Sequence, residues 1–130
     1  MPDAALNAES IFSSITATDL TRSIAFYTEG LGFEIVDKSE ADGVLHFVMM
    51  KGGAAQIGVG QDDFAKGRDR KKGVGLRTWI TTSQDIPALA ARVKAAGFAL
   101  DAEPHNLPWG PLAFEVTDPD GFKITVVSPR

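Results

Sequence analysis

At 130 residues, 44% of them hydrophobic and 23% charged, the chain has the size and balance of one folded unit with a buried core. A formal charge of −4 and a pI near 5.1 argue against a general nucleic-acid binder, which needs a basic face. The absence of cysteine excludes disulfides, thiolate metal sites and cysteine nucleophiles and suits a cytoplasmic protein; no apolar run reaches membrane-spanning length, and Met1–Ser10 shows no secretory pattern.

A strand is predicted over Ile11–Thr18, then a helix that Asp19 caps and Gly30 and Gly32 end. Leu20, Ile24 and Phe26 or Tyr27 supply its apolar stripe. Phe33–Lys38 reads as extended, and Val44–Met50 and Ala55–Gly60 as a hairpin around Lys51-Gly52-Gly53. Gln61–Lys72, with its charged end Arg68–Lys72, reads as a solvated linker. The pattern then restarts with a strand over Thr78–Thr82, a helix capped by Asp85 with Pro87 in its first turn and Gly97 at its end, and extended Phe98–Glu103. Leu112–Thr117 and Phe122–Ser128 form a second hairpin around Asp118-Pro119-Asp120-Gly121.

The two halves echo each other. Asp19–Phe33 is repeated as Asp85–Phe98, with a period near 66 residues. Self-similarity at a fixed spacing means one supersecondary unit used twice. The expected fold class is α+β: two βαβββ repeats forming a curved mixed sheet with helices on its convex side. The modules run from about 11 to 60 and 74 to 128, joined by the charged linker 61–73 within a single domain, 1–130. A ligand is expected in the groove that the halves share.

Period-two alternation assigns the faces. Phe122, Ile124 and Val126 pack under the helices, which leaves Lys123, Thr125 and Val127 on the concave side. The same rule puts Phe12, Ser14 and Thr16 there, with Thr78, Ile80 and Thr82 across from them, joined by Gln56, Gly58 and Glu115. Trp79 then falls in the core. A slip of one residue inverts any of these strands.

Paired βαβββ units, a helix ending in Leu31-Gly32-Phe33 and the late Asp118–Gly121 turn resemble the vicinal oxygen chelate superfamily. That group includes glyoxalase I, fosfomycin-resistance transferases, extradiol dioxygenases and bleomycin-binding resistance proteins. The resemblance runs from Ile11 to Val127 and is strongest over Asp19–Tyr27 and Trp109–Phe122. In the metal-using enzymes, four side chains on equivalent strands hold a divalent cation that polarises adjacent substrate oxygens. Carried over to this chain, those positions are Phe12, Gly58, Thr78 and Thr125. Phenylalanine and glycine offer no donor, and two threonine hydroxyls are poor ones. The resemblance therefore implies a member without the family's metal or any other cofactor.

The chain has two histidines, His46 in the strand Val44–Met50 and His105 in the Glu103–Gly110 loop. His46 beside Glu115 would make a proton-transfer couple. Candidate ligand-binding residues are Phe12, Ser14, His46, Gly58, Thr78, Trp109, Glu115 and Thr125, with none assigned as catalytic or metal-binding. Trp109 is expected over the groove mouth, where an indole face attracts planar or cationic groups. Glu115 needs a counterpart, supplied by a cationic ligand, Lys123 or Arg77. This inventory is similar to that of the bleomycin-binding resistance proteins, which sequester a cationic aromatic drug between two chains without metal. It implies a metal-independent small-molecule binding protein that forms homodimers and engages neither nucleic acid nor membrane. The alternatives are a glyoxalase-like lyase, isomerase or transferase with a displaced or absent metal, and a scaffold with a filled groove.

Overall fold

Two aspartates set where the helices begin. Asp19, in extended backbone, accepts the N–H of Arg22 at 3.3 Å and starts α1 (Leu20–Ala25). Asp85 accepts the N–H of Ala88 at 3.1 Å and starts α2 (Ile86–Ala95), where Pro87 occupies a first-turn position that needs no N–H. After Ala25 the first helix continues as a π turn, Phe26–Gly30. From cap to terminal glycine it is one residue longer than its copy, Asp19–Gly32 against Asp85–Gly97. The wider turn absorbs that residue without breaking the helix. The computed structural model describes residues 4–130, so the first three residues of the Met1–Ser10 stretch lie outside it.

Each βαβββ unit closes its own four-stranded mixed sheet. The first holds β1 (Ser13–Ala17), β2 (Glu34–Ala41), β3 (Val44–Gly52) and β4 (Ala55–Gln61) in the order β1-β4-β3-β2. The second holds β5 (Arg77–Thr81), β6 (Leu100–Asn106), β7 (Leu112–Thr117) and β8 (Lys123–Val127) in the order β5-β8-β7-β6. In both, the first strand runs parallel to the last and the remaining pairs are antiparallel. The architecture is thus α+β with two βαβββ repeats, built as two separately hydrogen-bonded sheets rather than one continuous sheet. β2 runs past the expected Lys38 because Asp42-Gly43, both with positive φ, supply a tight hairpin turn. β6 runs on to Asn106 through Pro104, which an edge strand tolerates.

One apolar core joins the units: Ile15, Phe26, Tyr27, Val48 and Val59 meet Val93, Phe114, Val116 and Ile124. Phe26 stacks edge-on against Phe98 at 5.0 Å. Arg92 donates to the carbonyls of Thr28 and Glu29 at 3.2 and 3.1 Å, a cation at the end of the first helix where its dipole favours one. The Asp118–Gly121 turn reaches back to the first unit. Tyr27 donates its hydroxyl to Asp118 at 2.8 Å, and Asp120 accepts the N–H of Thr18 at 3.1 Å.

The connector between β4 and β5 is more than a solvated linker. Asp62 is buried, accepts the N–H of Phe64 at 2.9 Å, and faces Lys72 at 3.0 Å and Arg70 at 3.4 Å. The Lys72 side chain is only 5% exposed and also donates to Thr18 at 3.0 Å. The Phe64 N–H foremost, and Lys72 next, hold the Asp62 carboxyl below its ordinary value of 3.8. A lowered folded-state pKa contributes stability above the unfolded value and loses it as pH falls through the folded one. Asp62→Asn is therefore expected to lower the thermal midpoint at neutral pH and to flatten its fall below about pH 4. Calorimetric midpoints identical to wild type at both pH values would show that the cluster contributes nothing. Just beyond Lys72, Gly73 passes backbone-to-backbone against Gly121.

Candidate functional site

Strand pairing decides which side chains share a face. In the first sheet, Ile15 pairs with Val59 and Val48 with Val59 on the buried side. The opposite, open face therefore carries Ser14 beside Gly58 and Phe47 beside Gly60. Phe12 reaches this face from the residue just before β1. A Cβ placed on Gly58 would lie 2.5 Å from Phe47 Cζ and 3.6 Å from Phe12 Cε2. Two phenyl rings thus fill the space into which a side chain at 58 would project. Phe47 was not among the sequence candidates, although a large residue opposite Gly58 and Gly60 in the hairpin was a usable signal.

His46 does not join Glu115. It is exposed at the far end of β3, where the pairing steps from Ser39–Phe47 to Glu40–Leu45 and leaves it as the extra residue of a bulge. Glu115 stands in the other sheet, and the histidine near it is His105.

The faces of β5 are the reverse of those expected. Ile80 pairs with Val126 and Thr78 with Ile124, both on the buried side, so Arg77, Trp79 and Thr81 occupy the open one. Trp79 is 51% exposed rather than in the core. The cause is one residue of loop. Ile15 precedes its helix cap by four positions, whereas Ile80, its structural counterpart, precedes Asp85 by five. Counting back from the cap therefore lands on the wrong side of the strand. The open-face counterpart of Phe12 is Arg77, two residues before the one that pairs with Thr125, as Phe12 stands two before Ser14.

Arg77 organises the second open face. Its Nη1 donates to Thr125 Oγ1 at 3.0 Å and lies 3.2 Å from Glu115 Oε1. Thr125 is fully buried beneath this contact. His105 Nε2 stands 3.9 Å from the other Glu115 oxygen, while its Nδ1 lies 2.8 Å from the Glu103 carbonyl. A carbonyl only accepts, so Nδ1 carries the proton and Nε2 faces the carboxylate. Trp79 and Trp109 stand with ring centroids 6.2 Å apart at 44°, each about half exposed. Phe12, Ser14 and Gly58 come together on the first open face, and Glu115 and Thr125 on the second, with Trp109 beside them against Trp79.

These residues do not fit a divalent cation. Phe12 and Gly58 carry no donor, Thr125 is engaged by Arg77, and Arg77 is itself a permanent cation. Among the described residues no three His, Asp or Glu side chains gather as a metal would require. A separate cleft of about 500 Å³ opens between the modules on the side away from these faces, with Leu31, Phe33, Ile80, Leu89 and Phe114 in its wall. It lies where Gly52-Gly53-Ala54, the first unit's version of the Asp118–Gly121 turn, meets the β5–α2 connection. Glycine and alanine there have no carboxylates with which to close it.

The fold recurs in solved structures. TioX from Micromonospora sp. ML1 superposes with a TM-score of 0.75 at 19% identity, covering 93% of this chain and 98% of that one. A member of the glyoxalase/bleomycin resistance protein/dioxygenase superfamily from Sphaerobacter thermophilus gives 0.73 at 26% identity, covering 95% and 98%. A glyoxalase-related enzyme from Fulvimarina pelagi gives 0.73 at 18% identity, covering 94% and 89%. No curated protein sequence matches. No helix among the described residues is long and apolar enough to cross a membrane. The family profile matches residues 10–126, which takes in both βαβββ units and both open faces. The duplicated unit, its sheet order and that match together make the chain a member of the Glyoxalase/Bleomycin resistance protein/Dioxygenase superfamily.

Proposed function

We propose that the chain is a metal-independent small-molecule binding protein that takes a planar aromatic compound on its open sheet faces and works as a homodimer. The carrying observation is the donor set: phenylalanine, glycine, threonine and a guanidinium stand where a divalent cation would need imidazole or carboxylate. Phe12, Trp79 and Trp109 leave aromatic surface on both faces, of the kind that marks a ligand or partner site. Two half-sites on separate sheets favour closure by a second copy, which size measurement in solution checks directly. The expected taste for cations loses its support, because Arg77 already matches Glu115. Sequestration or resistance remains the role in keeping with the family's name.

Protein purified without chelator is expected to hold no stoichiometric nickel, zinc or manganese. Planar aromatic compounds are expected to raise its thermal midpoint, since a ligand at one hundred times its Kd adds about 2.7 kcal/mol. Stoichiometric metal with metal-dependent turnover of a hemithioacetal would overturn the reading. Phe12→His is expected to leave divalent-metal affinity as weak as in the parent chain, read by calorimetric titration, because Gly58, Arg77 and Thr125 still supply no ligand.

A second reading, metal-free proton transfer, draws on the 3.9 Å approach of His105 to Glu115. A carboxylate beside an imidazole can orient it for proton transfer. Turnover of a carbonyl substrate that survives metal removal and vanishes in both His105→Gln and Glu115→Gln would establish it.

A further inference from the structure

Resting on the ligand-binding reading, we infer that Arg77 is the anion-gripping group of the second open face and that the ligand is a planar aromatic carboxylate. Arg77 and Trp79 lie two residues apart on one strand face, about 6.6 Å along the strand. That is the scale on which a one- or two-ring acid separates its ring from its charge. Trp109 leans over Trp79 at 44°, so the indoles form an open wedge rather than a closed stack. A flat ring entering the wedge meets aromatic surface on two sides.

The guanidinium is pinned through one nitrogen. Nη1 serves Thr125 and Glu115, while Nε and Nη2 have no acceptor among the described residues. Those two N–H groups form the edge of the fork that takes both oxygens of a carboxylate at once. The ionisable groups around it are Glu115 at 3.2 Å, Lys123, which pairs with Arg77 across β5 and β8, and His105 on the far side of Glu115. Glu115 already offsets the Arg77 charge directly. Preference for a carboxylate then comes from the fork's directed donors and not from general attraction. The group that stands where a metal ligand would project, as Phe12's counterpart, thus carries its own positive charge to the ligand.

The chain's only two tryptophans are the two on this face, so their emission reports occupancy directly. Titration with 4-nitrobenzoate, a flat quencher, is expected to quench emission at a concentration at least tenfold lower than 4-nitrobenzamide, its neutral counterpart. Arg77→Lys keeps the charge and loses the fork, and is expected to erase most of that preference while the amide binds as before. Arg77→Met combined with Glu115→Gln, which avoids leaving a carboxylate unpaired, is expected to abolish it. Equal affinity for the two probes in the parent protein, or a preference that survives the double variant, overturns the role of Arg77 and leaves aromatic binding standing. No quenching by either probe overturns both.

Discussion

Tyr27→Phe is expected to lower the unfolding free energy by about 2 kcal/mol, the usual worth of a buried hydrogen bond to a charged group. The lost contact is the 2.8 Å bond to Asp118, the carboxylate whose turn ties the second unit to the first helix. Burial pushes the Asp118 carboxyl up, and the N–H groups of Phe122 and Asp120 with the Tyr27 hydroxyl offset part of that push. Removing the hydroxyl leaves a partly desolvated carboxylate with one donor fewer. Denaturant titration reads the loss, and the gap from the parent should narrow in acid, where Asp118 takes up a proton. At high pH the sign reverses. Burial, and then the charge of Asp118, raise the Tyr27 phenol far above its ordinary value of 10.0. A group raised in the folded state contributes stability that is whole below the unfolded pKa and is lost as pH climbs past it. The parent should therefore unfold progressively above about pH 10, and Tyr27→Phe should lack that dependence. Because Tyr27 is the only tyrosine, tyrosinate absorbance reports it alone, and ionisation near pH 10 in folded protein would refute the burial argument.

A larger loss is expected from Gly73→Ala. Gly73 has φ +76, and a Cβ there would overlap the carbonyl group of Gly121, which is backbone and cannot swing aside. Left-handed strain and overpacking together suggest about 2–5 kcal/mol. Gly75→Ala is the control, since Gly75 has φ +74 with nothing near its missing side chain, and strain alone predicts about 1–2 kcal/mol. Similar losses in the two variants by denaturant titration would mean that the connector moves off Gly121 at little cost. A clear excess at 73 would show that the connector is held against the Asp118–Gly121 turn of the second unit.

The duplicated fold was legible because its signals are local. A capping aspartate, an apolar stripe and a terminal glycine each act within a few residues, and both copies carry all three. The open faces were harder because faces depend on counting, and single-residue changes in length defeat it. The extra residue before Asp85 turned Arg77 and Trp79 outward and Thr78 inward. A second irregularity, between Ala102 and His105 in β6, accompanies the approach of His105 to Glu115. Pro104 was the one hint of it, since proline within a strand marks an edge or a bulge. Phe47 was missed for a different reason: its importance lies in the glycines across the hairpin, a pairwise property that no single strand displays. Glu115 was placed among its possible partners correctly, and Arg77 proved to be the one it meets.

The seam between the repeats is fastened unequally. At one end, carboxylates of the Asp118–Gly121 turn bolt onto the first helix; at the other, Gly52-Gly53-Ala54 merely abuts its neighbour across a gap. Thermal breathing should begin at the glycine tip, whose amides would exchange with solvent long before those of the aspartate-bound end.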